Sequence, residues 1–225
     1  MQAQIDSGFV HILDLPIRTR IDNLQTPRSG VALGGIGGGC FTLFADGTTG
    51  DWTIANNLPL GTAPRLTWDQ HSVLFIVLRW QEGDGHPQMR LLQIPPRLGA
   101  AGIENHERLY ILPWLDGVER IDADLDFPGG TLRFHDSTMP LEVTLRAWSP
   151  FVPHDVAASS IPAAFLDLSI TAKPGRTVTV NAIASLRNLS GYDVPTRQHR
   201  SRVVRGDGYV AALMGATGLR CWRVG

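Results

Sequence analysis

Five of the six residues from Gly34 to Gly39 are glycine, and this run constrains the fold more than any other stretch of the chain. Glycine loses more backbone freedom on folding than any other residue, so such density needs a structural reason. Two reasons are available: backbone in the left-handed region, or backbone lying against another surface with no side chain between. Gly35, Gly37 and Gly39 are the positions expected to meet one or the other. A phosphate cradle does not fit the letters. Gly34 and Gly39 have the spacing of a P-loop, but Cys40-Phe41 stands where Lys and Ser/Thr are required. A dinucleotide fingerprint begun at Gly35 and Gly37 would put its third glycine on Cys40. Phe41 to Phe44, with Asp46-Gly47 behind it, predicts a strand entering a tight turn rather than a helix.

Strand signals dominate the rest of the chain. Ser72 to Leu78 is a continuous apolar run of strand length, which predicts a central strand leading by a hairpin to Gln88–Leu92. Ile121 to Phe127 and Thr131 to Phe134 alternate. Leu141, Val143, Leu145 and Ala147 fall on one face of a strand, as do Leu166, Leu168 and Ile170. Pro174-Gly175 turns the chain into Thr177–Ala182, and Val203 to Leu213 predicts a last hairpin about Asp207-Gly208. Many short strands with Gly/Pro turns predict an all-β, antiparallel β-sandwich. Helix signals are thin: Glu104 to Leu112 lacks a clear 3.6-residue period, and fifteen prolines oppose long helices. With no repeat or linker in evidence, residues 1–225 are expected to form a single domain.

At 225 residues, 43% hydrophobic and 18% charged, the chain can bury a core without staples. A net charge of -1 leaves no electrostatic footprint for nucleic acid. Cys40 and Cys221 lie at opposite ends beside Phe41 and Trp222, which predicts buried free thiols rather than a disulfide framework. No signal peptide is legible at the N-terminus, and the longest apolar run is too short for a transmembrane segment. A soluble, cytoplasmic protein is expected.

Two motifs carry a family resemblance. The first is Leu33-Gly-Gly-Ile-Gly-Gly-Gly39 followed by Asp51-Trp52-Thr-Ile-Ala-Asn56-Asn57-Leu-Pro59. The second is Ser149-Pro150-Phe151-Val152-Pro153 followed by Ser159-Ser-Ile-Pro162, with Ala158 where an acidic residue is common. Together they resemble the amino-terminal region of glycoside hydrolase family 116, which includes bacterial β-glucosidases and non-lysosomal glucosylceramidases. The resemblance implies an N-terminal β-sandwich, cut short before a helical (α/α) barrel that holds the catalytic Glu and Asp. Leu219 to Gly225, a strand in progress, agrees with such truncation.

The carboxylates of this chain suit that reading. A glycosidase needs two carboxylates about the scissile bond. Glu82 and Glu142 look solvated, and none matches the family's catalytic motifs. Asp122, Asp124 and Asp126 share one strand face and could perturb one another or hold a cation, with a solvated strand face as the plainer reading. Glu104-Asn-His106-Glu107 reads as a surface loop. His154-Asp155 is the pair to watch in the second motif, with loop structure as the plainer role. No nucleophile elbow, metal site or cofactor site is legible.

The chain is therefore expected to be a non-catalytic domain of a β-glucosidase-like or glucosylceramidase-like hydrolase. Its partners would be the catalytic domain of the same parent chain and a β-glucoside or glycolipid-like substrate. Trp52, Asn56 and Asn57 are the candidates for shaping the site: Trp can stack on a sugar and Asn can satisfy hydroxyls. The plainer alternative puts Trp52 in the core and the Asn pair in a turn. Ser149, Pro150, Phe151, Pro153 and Pro162 are expected to be structural. A free-standing carbohydrate-binding or interaction module is the competing function.

Overall fold

The computed structural model describes residues 17–22, 29–53, 73–94, 115–190 and 198–217. Asn56, Asn57, Cys221, the 104–112 segment and the last residues lie outside them. The chain divides into two compact units, Met1–Ser185 and Leu186–Gly225.

The larger unit is built on a five-stranded antiparallel sheet. Its order is β1 (Ile17–Asp22), β7 (Arg120–Asp126), β8 (Gly129–His135), β9 (Leu141–Trp148) and β10 (Phe165–Ala172). Period-2 patterning decides which face is buried. In β9, Leu141, Val143, Leu145 and Ala147 are buried, while Glu142 and Arg146 between them are exposed. Across β7 and β8, Ile121, Ala123, Leu125, Leu132 and Phe134 continue the same apolar layer.

Onto that layer pack β2 (Gly30–Gly35) and β3 (Gly39–Phe44), which form a three-stranded sheet with β4 (Thr49–Thr53). Val31, Leu33, Phe41 and Leu43 supply its core face. A third sheet, in the order β11 (Val178–Leu186), β5 (Leu74–Glu82), β6 (Gln88–Leu91), adds Leu78 and Trp80 to the same core. The unbroken apolar character of β5 has a structural reason: its other face buries Val77 in a second cluster with Leu91 and Leu115. The result is the all-β, antiparallel sandwich that the patterning predicts. Its one helix among the described residues is the single turn α1 (Val156–Ser159).

The smaller unit contains the hairpin β12 (Gln198–Gly206) and β13 (Tyr209–Thr217), paired in register along its whole length. The Asn188 side-chain amide donates to the carbonyls of Arg200 at 3.3 Å and Gly215 at 3.0 Å, tying both strands to the segment before them.

Candidate functional site

The two sequence motifs meet in space. The β2–β3 turn is made by Ile36 to Gly38, with Gly34 (φ 130°), Gly37 (φ 69°) and Gly39 (φ 111°) in backbone that L side chains avoid. The Gly34 N–H donates to Ser149 Oγ at 2.6 Å, and the Ile36 N–H donates to the Ser159 carbonyl at 2.9 Å. A Cβ on Gly35 would stand 2.6 Å from the Ser160 carbonyl carbon and 2.8 Å from that of Ile161. One on Gly38 would stand 2.5 Å from the Ser160 carbonyl oxygen. The run thus satisfies both expectations at different positions. Gly37 and Gly39 are required by φ, and Gly35 by the close backbone crossing. Gly34 and Gly38 share these demands, although the sequence reading selected neither; their place in the same run was the signal.

The second motif is fixed from within. Buried Ser149 donates its N–H to the Pro128 carbonyl at 3.0 Å. Ser159 Oγ accepts from the Val152 N–H and donates to the Val152 carbonyl, each at 3.0 Å. Asp155 is the N-cap of α1: its carboxylate accepts from the Ala158 N–H at 2.9 Å. His154 is exposed and left-handed, at φ 67°. Pro153 is exposed as well, and Phe151 meets Phe127 edge-to-face at 5.0 Å.

Beside this crossing lies an open hollow of about 240 Å³. Gly38, Gly39, Cys40, Phe41, Trp52, Thr53 and Pro162–Ala164 line it. Trp52 reaches it because β4 bulges. Cys40 pairs with Thr53 and Thr42 with Gly50, so Asp51 and Trp52 together oppose Phe41, and Asp51 takes φ 50°. Trp52 consequently stacks on Phe41 at 4.4 Å and 12°. Its Nε1 is buried with no hydrogen-bond partner. The Cys40 thiol, half-buried rather than buried, lies 3.2 Å from Thr53 Oγ1.

On the acidic strand face Asp122 and Asp124 are engaged, and Asp126 is exposed. Arg133 Nη1 meets Asp124 at 2.6 Å, while Arg120 and His135 flank Asp122 at 3.3 and 2.8 Å. Among the described residues, no group of three His, Cys, Asp or Glu could hold a metal ion.

The crossing of a glycine turn over a Ser-Pro loop is what the two motifs encode jointly. The family model described as beta-glucosidase 2, glycosyl-hydrolase family 116 N-term matches residues 30–216. The chain belongs to glycoside hydrolase family 116. No curated protein matches it. The family 116 match spans both motifs and all strands from β2 to β12, and it describes the amino-terminal part of its members. No described helix is long and apolar enough to cross a membrane.

Proposed function

We propose that this chain is a non-catalytic domain of a family 116 β-glycosidase, and that the crossing of its two motifs is the surface that packs on the catalytic domain. One observation carries the reading. Around the hydrogen-bonded crossing Ile36, Val156 and Ile161 are left exposed, at 56%, 76% and 48%. Three exposed aliphatic side chains on turns joined by backbone hydrogen bonds are suited to a protein partner. The hollow with Trp52 adjoins that surface and would lie at its edge, where it can help shape the carbohydrate site. Trp52 lines that hollow with one ring face covered by Phe41.

The test is direct binding between this chain and the parent's catalytic domain, produced separately. The wild-type chain should form a complex. Ile36→Asp and Ile161→Asp, both at exposed positions, should weaken it strongly while leaving the fold intact. No complex with the wild-type chain, or no effect of either substitution, would favour the free-standing carbohydrate-binding module.

A further inference from the structure

We propose a second carbohydrate site on the outer face of the five-stranded sheet, taking a single pyranose ring of a β-glucoside. It goes beyond the docking reading; only the choice of a glucoside rests on the family. The site is a cleft of about 580 Å³, within the roughly 300–1,000 Å³ usual for small-molecule sites.

Register creates it. Asp126 pairs with Gly129, Gly129 with Trp148, and Trp148 with Phe165, so these four form one row across β7, β8, β9 and β10. Trp148 stacks on Phe165 at 4.3 Å and 15°, which covers one face of the indole. Its neighbour on the other side is Gly129, which has no side chain. The second indole face therefore looks across a slot towards Asp126. The adjoining row adds the Thr131 hydroxyl and the Arg146 guanidinium, which pair in register, and Phe151 closes the end.

The chemistry suits a sugar ring. An indole plate receives the apolar C–H face of a pyranose. Vicinal hydroxyls donate to a carboxylate and accept from a guanidinium. Asp126 and Arg146 supply that acceptor and that donor, and neither has a hydrogen bond or ion pair among the described residues. On the same sheet face Asp122, Asp124 and Arg133 are already engaged, while the exposed Asp167 stands opposite Arg146 in register without an ion pair to it. The slot thus holds opposite charges, not paired with each other, beside an aromatic wall. This is a donor and acceptor set for a neutral polyhydroxylated ligand.

The experiment is a titration of the ¹⁵N-labelled chain with methyl β-D-glucoside and with cellotetraose, followed by NMR. Saturable shifts should concentrate at Gly129, Gly130, Thr131 and the Trp148 indole N–H. Asp126→Asn and Arg146→Gln, both exposed, should each weaken binding about tenfold with the remaining spectrum unchanged. Sorbitol, which offers hydroxyls without a ring, should not saturate the site. Absence of saturable shifts there, indifference to both substitutions, or equal binding of sorbitol would overturn the proposal. So would loss of catalytic-domain binding on Asp126→Asn, because the slot would then be interface. Failure of the Ile36→Asp and Ile161→Asp test with sugar shifts intact would overturn the docking reading alone.

Discussion

The backbone N–H of Gly34 and the hydroxyl oxygen of Ser149 lie 115 residues apart in sequence and 2.6 Å apart in space. Neither can be replaced by a local substitute. Gly34 sits at φ 130°, and a Cβ there would come within 2.7 Å of Cys40 Cα. Ser149 is buried just after the end of β9. This bond and the Ile36–Ser159 bond hold the glycine turn on the loop that carries α1.

Ser149→Ala leaves the Gly34 N–H without its acceptor in a half-buried position. It should lower stability by about 1–3 kcal/mol. Urea denaturation at neutral pH measures the change. A loss below a few tenths of that range would mean that solvent replaces the hydroxyl.

The glycines should separate by mechanism. Gly35→Ala forces a methyl group onto the Ser160 backbone and should cost about 1–3 kcal/mol as overpacking. Gly37→Ala meets nothing within 4 Å, so only its φ of 69° opposes it, at about 1–2 kcal/mol. Binding to the catalytic domain should fall with Gly35→Ala, which displaces the crossing, and hold with Gly37→Ala. Equal behaviour of the two in both assays would contradict the division.

Stability should drop in acid through Asp136. Burial pushes its carboxyl up, but hydrogen bonds from the Thr138 hydroxyl, Arg90 and the Thr138 N–H, with the Arg90 charge, outweigh that and hold its pKa below the ordinary 3.8. A depressed folded-state pKa gives stability that is fully present above the unfolded value and lost as pH falls through the folded one. Thermal melts from neutral pH to below 3.8 should show this loss, and Asp136→Asn should flatten it. Arg90→Ala removes a 2.9 Å ion pair and should move the loss to higher pH.

The chain alone should hydrolyse no aryl β-glucoside. None of its carboxylates matches the family's catalytic motifs, and on β7 Asp122 and Asp124 are held in ion pairs. Release of a chromophore by purified residues 1–225, abolished by a substitution within the chain, would defeat this expectation.

Strand layout was legible because alternation is local. The β9 pattern of Leu141, Val143, Leu145 and Ala147 needs no knowledge of its neighbours. The glycine run announced that something must lie against it, but not that this would be the Ser160 backbone. That contact depends on how β2, β3 and the loop after β9 assemble across more than a hundred residues. The bulge at Asp51 was hidden for the same reason, since only the β3–β4 register reveals that two residues oppose Phe41. Trp148 carried a readable sign: an indole on the polar side of β9, where Glu142 and Arg146 also lie. Its slot beside Gly129 depends on pairing register, which strand periodicity alone does not determine.

The crossing of the two motifs also makes the domain report on its own completeness. The Gly34 and Ile36 amide protons sit early in the chain, yet their acceptors arrive only with Ser149 and Ser159. A nascent or clipped chain lacking the later strands can form the β2–β3 turn and still leave both protons open to solvent. Their exchange should slow only when the distant halves close on one another. Two amides beside the proposed docking surface therefore act as a latch, so the apolar Ile36 turn is set in place for a partner only once the sandwich behind it is whole.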